Sequence, residues 1–588
     1  MSAQKLLQFA IESALSDFDL GSVSPDALQV VPATNPQFGD YQWNGALPLA
    51  KVLKQKPRDI AQKVLGKLDA SAVAETPEIA GAGFLNFRLK TGWLESALET
   101  ARLDERLGVA VAEKPERFVV DFSSPNVAKP MHVGHIRSTI IGDAIVRLLR
   151  FQGHFVVSDN HIGDWGTAFG KIIVGWKTEL DEANLAADPI GEMERLYKLI
   201  NERGKTDPAT EDAARHETAC LQAGDEENLA IWKRVRELSQ EQFDAIYARL
   251  DVSFDETLGE SFYNPRLNSL VDDLLAQGVA RESEGAIAVF SDGSVDPKDD
   301  PFLISRDGNW TDFPAIVRKR DGAATYATTD LATLEYRLNE LGAHRILYVT
   351  GAPQAGHFKQ VFAAFARWKP SARFDAQHVA FGSVLGEDKT PLKTRDGAPV
   401  KLSALLDEAE VRALEVVREK NPELGEDALQ NIARVVGIDA VKYADLSQNR
   451  ASDYVFSWDK MLALSGNSAV YLLYAYARVR SIFRKADERN VSAAMSAPQL
   501  VEPAEIELAK VLLRFDEALS ASLNGYRLNL LTDYLYELAG AFSAFFRDCR
   551  VLDAADDVRS SRLALCDLTA RTLRTGLDLL GIQTLEQM

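Results

Sequence analysis

"RFVVDFSSPNVAKPMHVGHIRSTIIGDAIVRLLRFQGHFVVSD", Arg117–Asp159, decides the fold. It opens on a strand-like run, "RFVVDF", that reads as a buried strand. It closes on a second such run, "HFVVSD". Between them Ile136, Ile140, Ile141, Ala144, Ile145, Leu148 and Leu149 fall on one face of a helix, and Gly153 is placed to stop it. Strand, helix and strand in this order predict a parallel sheet with a right-handed crossover. At the first strand-to-helix junction stand two histidines, His132 and His135, with Gly134 between them.

Working outward, residues 1–112 read as a small α+β unit. "QKLLQFAIESALSDF" is an amphipathic helix, "ALPLAKVLKQKPRDIAQKVLGKL" a helical stretch broken near Pro57, and "AGFLNFRL" alternates like a strand. Residues 113–465 are expected to form an α/β sheet domain, Rossmann-like, with a charged helical insertion at about 176–300. "FPAIVRKR", "HRILYVTG" and "HVAFGSVLG" are its returning strands. Residues 466–588 read as an all-α bundle, which includes the basic, tyrosine-bearing helix "SAVYLLYAYARVRSIFRKADER". The 588 residues are enough for roughly three or four domains.

Composition narrows the function classes. Apolar content of 46% with 26% charged residues is that of a soluble globular chain, and no apolar run approaches the ~18 residues of a membrane span. The first residues lack the basic start and apolar stretch of a signal peptide, so a cytoplasmic location is expected. Cys220, Cys549 and Cys566 are scattered and form no CxxC pair, which excludes a thiolate zinc site and a disulfide framework. A net charge of −20 opposes a broadly basic nucleic-acid footprint but leaves room for a local basic stripe.

Four readings of the histidine pair compete. A metal pair needs a third protein ligand, and no HExxH or nearby thiol supplies one. "GTAFGKI" fails as a P-loop in its glycine spacing and in having Ile172 where a hydroxyl should follow the lysine. Two structural histidines are possible. The fourth reading is a nucleotide site. A helix N-terminus offers free N–H groups, Gly134 lets a purine or phosphate approach the backbone, and imidazoles can donate to phosphate oxygens at the carboxyl end of a strand.

"HVGH" resembles the HIGH motif of class I aminoacyl-tRNA synthetases. The longer run Ser123–His154, followed by "NHIGDWGTAFG", resembles arginyl-tRNA synthetases, and so do "FGDYQWNGALPLAK", "GAGFLNFRL", "YATTDLA" at 326–332, "GAPQAGHF" at 351–358 and the C-terminal "LDLLGI". The resemblance covers nearly the full length. It implies two steps: activation of L-arginine by ATP with Mg²⁺, then transfer of arginine to the 2′-hydroxyl of the terminal adenosine of an arginine tRNA. No protein-bound metal or membrane is implied, and a monomer is expected.

The resemblance also assigns residues. His132 and His135 would steady the triphosphate and Gly134 would make room for the nucleotide. A guanidinium is best held by a carboxylate fork, and Tyr326 and Asp330 are four apart on a predicted helix, so they face the same way. Asp330 would pair with the guanidinium beside Tyr326, with Asn126 and Gln354 as polar partners and Glu260 as a second carboxylate. Alternatively, Asp330 would cap a helix starting at Leu331. The KMSKS loop of the class departs here: in "KTPLKTRDG", Pro391 takes the first lysine's place, leaving Lys393 and Arg395, and Lys129 just before "HVGH" is the candidate for the missing charge. For tRNA the candidates are Tyr41, Gln42 and Asn44 in the N-terminal unit, and Tyr471, Tyr474 and Arg478 in the bundle, where the tyrosines could equally be core. A synthetase for lysine or glutamate, and a noncatalytic tRNA-binding relative, are the other readings. An acidic pocket opposes glutamate, and intact His132, Gly134, His135 and Asp330 oppose a noncatalytic relative.

Overall fold

The computed structural model describes residues 2–393 and 399–588. The chain divides into two compact units: Met1–Val111 with Ala463–Asp578 and Ile582–Met588, and Ala112–Leu462 with Leu579–Gly581.

The second unit carries the parallel sheet. Its strands are β1 (Arg117–Asp121), β2 (Phe155–Asp159), β3 (Arg345–Tyr348) and β4 (Asp375–His378), in the order β4-β3-β1-β2. Val119 lies opposite both Ile346 and Val157. Residues 118–121 are all buried, as a central parallel strand covered on both faces requires. Helix α1 (Val133–Phe151) crosses from β1 to β2 with the predicted apolar face inward, and Gly153 follows it at φ +89°. Helices then fill most of the chain from Thr167 to Leu250. Three more helices position the site: α2 (Glu260–Ala276), α3 (Tyr326–Asn339) and α4 (Ala355–Trp368).

One expected strand belongs elsewhere. "FPAIVRKR" does form a strand, Ala315–Arg318, but it pairs antiparallel with Ala286–Val289, whose other neighbour is Ala280–Ser283. The chain rejoins the parallel sheet only at Arg345. The reason is visible in burial: residues 315–318 alternate buried and open, the pattern of a one-sided antiparallel strand. In "HVAFGSVLG" the sheet strand ends at His378, and Val384–Leu385 pairs instead with Tyr454–Val455.

In the first unit, the N-terminal segment forms a four-stranded antiparallel sheet with helices Ala3–Leu15, Ala46–Leu53 and Pro57–Leu65. The break before Pro57 is real: Lys54 turns left-handed at φ +51° and Pro57 opens the next helix. Among the described residues, the regular elements of the C-terminal segment of this unit are all helices. Among the described residues, no helix is long and apolar enough to cross a membrane.

Candidate active site

A cavity of about 610 Å³ opens beyond the carboxyl ends of β1 and β3. Its wall brings together Asn126, His132, Gly134, His135, Glu260, Tyr326, Asp330 and Gln354, residues spread over more than two hundred positions of sequence. Its location is where an open α/β sheet binds ligands.

The two histidines form a reciprocal cap on α1. His132 is the N-cap, and its Nδ1 accepts the Gly134 N–H at 3.1 Å. The His135 Nδ1 accepts the His132 N–H at 3.1 Å. The rings lie 4.0 Å apart. Burial lowers the His132 imidazole, and burial with His132 alongside pulls His135 down to about 4. Both rings are therefore neutral at pH 7. Because each Nδ1 accepts, each ring carries its proton on Nε2, and both Nε2–H groups remain as donors. Gly134 is constrained from within: a Cβ there would sit 2.9 Å from the His132 ring and push the cap apart.

The same cavity is also lined by carboxylates. Helix α3 starts at Tyr326 under a Thr325–Thr328 capping box, so Asp330 is a full turn inside the helix and is not its cap. Tyr326 stands at the rim, 68% exposed. The Asp330 Oδ2 lies 2.5 Å from His357 Nε2. Glu260 opens α2, where buried Asp164 accepts from the Ser261 N–H at 2.8 Å and from its hydroxyl at 2.7 Å. Burial pushes the Glu260 carboxyl up to about 7, with the Asp330 and Asp164 charges adding to it against His161. Asn126 borders the cavity beside Gly163, where a Cβ would meet the Asn126 Oδ1 at 2.2 Å.

Beneath the cavity, Arg337 is wholly buried and bonds Asp121 and Asp159, each at 2.7 Å, tying together the ends of β1 and β2. Burial opposes its charge, but the two aspartates outweigh that and hold the guanidinium well above its usual range. Sequence reasoning missed Arg337, Asp164 and His357. Arg337 was within reach: continuing the Tyr326–Asp330 face gives Thr333 and then Arg337, where the face runs from the cavity rim into the buried interior.

The expected triphosphate cations are less gathered. Lys129 is exposed, outside the cavity wall, with its ammonium 5.2 Å from the Tyr197 ring centroid. Lys393 is exposed and bridges Pro399 through its backbone. Arg395 lies outside the described residues. The far end of this loop is tied to the histidine motif: the Val133 N–H reaches the Val400 carbonyl, and the Leu402 N–H the Met131 carbonyl, both at 2.9 Å. On the near side, Arg137 of α1 bonds the Gly382 carbonyl at 2.7 Å and pairs with buried Asp445 at 3.0 Å.

In the N-terminal strand Tyr41–Trp43, alternation sends Tyr41 and Trp43 into the core. The Tyr41 hydroxyl donates to Glu517 at 2.9 Å, which removes Tyr41 from the side chains able to meet a base. Gln42 bonds Asn86 at 2.7 Å and Asn44 is half-buried. On the helix Ala469–Glu488, Tyr474 is 43% exposed and carries the Arg478 guanidinium 4.8 Å above its ring. Half-buried Tyr471 packs 5.4 Å from exposed Tyr536. Among the described residues, no cluster of three His, Cys, Asp or Glu side chains is arranged to hold a metal ion.

The family described as "tRNA synthetases class I (R), catalytic domain" matches residues 97–458, an "Arginyl tRNA synthetase N terminal domain" matches 5–89, and a "DALR anticodon binding domain" matches 472–588. An arginine–tRNA ligase of Nostoc punctiforme is 47% identical over 597 residues, covering all of both chains. One from Hahella chejuensis is 45% identical, again over all of both. Among solved structures, arginyl-tRNA synthetase of Thermus thermophilus matches at TM-score 0.83 and 26% identity, covering all of both chains. That of Plasmodium falciparum matches at 0.82 and 29%, covering all of this chain and 98% of the other. A parallel sheet with an HxGH cap at its ligand-binding end, under a matching catalytic-domain family, defines a class I aminoacyl-tRNA synthetase. Within that class the chain belongs to the arginyl-tRNA synthetases, and its reaction is the ATP-dependent ligation of arginine to tRNA.

Proposed function

We propose that the cavity of the second unit holds arginine and ATP with their reacting atoms adjacent, and that this chain's side chains divide as follows. The His132 and His135 Nε2–H groups donate to phosphate oxygens as charge builds on the α-phosphate, a role suited to fixed neutral donors. The arginine carboxylate attacks the α-phosphorus, and pyrophosphate leaves. The 2′-hydroxyl of the tRNA then attacks the arginyl carbonyl, and AMP leaves. Asp330 takes the guanidinium, with Tyr326 as a wall, Glu260 as a second carboxylate, and Asn126 and Gln354 as polar partners. Mg²⁺ arrives with ATP as part of the substrate. Lys393 supplies phosphate charge, joined by Lys129 once its flexible stem leaves Tyr197. Arg395 completes the set. The enzyme acts as a monomer. Tyr471, Tyr474 and Arg478 of the anticodon-binding segment, and Gln42 and Asn44 of the N-terminal segment, meet the tRNA.

The observation that carries this reading is that one cavity is lined both by two histidines whose Nδ1 atoms are taken up by the helix cap and by two carboxylates, Asp330 and Glu260. Asp330→Asn tests it. Leaving a bound guanidinium without its carboxylate costs roughly 2–5 kcal/mol. In arginine-dependent ATP–pyrophosphate exchange with tRNA present, the arginine KM should rise steeply and the ATP KM should hold. A change in arginine KM below about threefold would remove Asp330 from the arginine site.

A further inference from the structure

One cavity-facing group has no part in the scheme above. His357, third residue of α4, places its Nε2 2.5 Å from the Asp330 Oδ2, and both side chains are more than four-fifths buried. The ring is fixed from two sides. Tyr326 meets it edge-on at 4.8 Å between centroids, and Phe358 at 5.2 Å. An ionised carboxylate only accepts, so the shared proton belongs to the imidazole Nε2.

We infer that His357 is a positioning residue for arginine specificity: it holds the Asp330 carboxylate in the plane that a guanidinium fork requires. This rests on the assignment of Asp330 to the guanidinium. A carboxylate at a cavity wall can turn about two side-chain torsions, and a bidentate pair tolerates only about 10–20° of misalignment. A hydrogen bond to Oδ2 from a mostly buried ring in edge contact with Tyr326 and Phe358 reduces that freedom before arginine arrives. An imidazole N–H can do so without a permanent cation beside the carboxylate, which a lysine or arginine in that place would be. Orientation matters less to an ammonium, which makes single, freely directed bonds. Loss of the clamp therefore weakens arginine more than lysine or ornithine, and selectivity falls.

The test uses the full chain with tRNA in pyrophosphate exchange. His357→Phe keeps an aromatic ring between Tyr326 and Phe358 but removes the donor. His357→Gln keeps a donor near the position of Nε2. The expected results are an arginine KM about tenfold higher for His357→Phe, the ordinary worth of a hydrogen bond to a charged group, an unchanged ATP KM, a lower arginine-to-ornithine ratio, and recovery of most of the loss in His357→Gln. In the Asp330→Asn background, His357→Phe should add less than twofold, because the histidine acts through that carboxylate. Equal rises in the arginine and ATP KM values, or full additivity in the double variant, would overturn the inference and leave a packing role. An Asp330→Asn variant with normal arginine KM would instead refute the assignment on which it rests.

Discussion

Glu260 shows how one residue sets stability against binding. Its carboxyl, pushed up to about 7 by burial and then by Asp330 and Asp164, is largely protonated below that pH in the free protein. A guanidinium favours the ionised form, so arginine binding expels a proton. The arginine KM should therefore fall as pH rises toward 7, by up to about tenfold per unit, and level off above it. Glu260→Gln should flatten this profile. The stability sign is the reverse. A carboxyl raised in the fold contributes stability that is full below its ordinary pKa and is lost as pH rises through about 7. Glu260→Gln should thus melt higher than the parent at pH 8 and bind arginine more weakly, which thermal scans with and without arginine will show. At this scale Tyr326 and Asp330 were legible because helical spacing alone puts them on one face. His357 was not, since its partner is 27 residues away and the pair exists only once α3 and α4 pack. Tyr41 misled because aromatics are the usual readers of unstacked bases, whereas strand alternation puts this one in the core beside Glu517.

Helix α1 does more than cross the sheet. Through Arg137 it grips the start of the loop that carries Lys393, and through backbone bonds around Met131 and Val133 it grips the end. Arg137 and Asp445 are each 1% exposed, and removing one partner of such a pair costs about 3–5 kcal/mol. Arg137→Met and Asp445→Leu should each lower the denaturant midpoint sharply. The double apolar variant should regain much of the stability and yet keep a raised ATP KM, because the Gly382 carbonyl has lost its clamp. Restoration of ATP KM in the double variant would show that the pair stabilises the fold without positioning the loop. The unit Arg117–Asp159 was legible as elements because its strands are short apolar-centred runs and its helix carries an apolar face, although Phe155 at the head of β2 is exposed. Ala315–Arg318 was legible as a strand but not as to sheet, since four apolar-rich residues do not name their partner.

Across the whole molecule, 86 acidic residues outnumber 66 basic ones, so tRNA affinity must come from local surfaces. The Tyr474–Arg478 pair on the anticodon-binding segment has the stacking face and the charge for one. Tyr474→Ala should weaken tRNA binding by about 1–3 kcal/mol, and Arg478→Ala should lower the slope of log Kd against log salt by about one. Filter binding over a salt series measures both, and unchanged affinity in both variants would move the contact elsewhere. Composition excluded a disulfide framework and a membrane-spanning reading, and ordered motifs supplied the family. Neither could show the histidine tautomers, which depend on backbone hydrogen bonds within the cap. The most direct measurement is the turnover of arginine activation in His132→Ala and His135→Ala, by pyrophosphate exchange at saturating arginine, ATP and tRNA. If the paired Nε2–H groups stabilise the charge developing on phosphate, kcat should drop on the order of 10²–10³ in each variant with folding intact. Near-parental kcat in both would place the chemistry outside the HVGH cap.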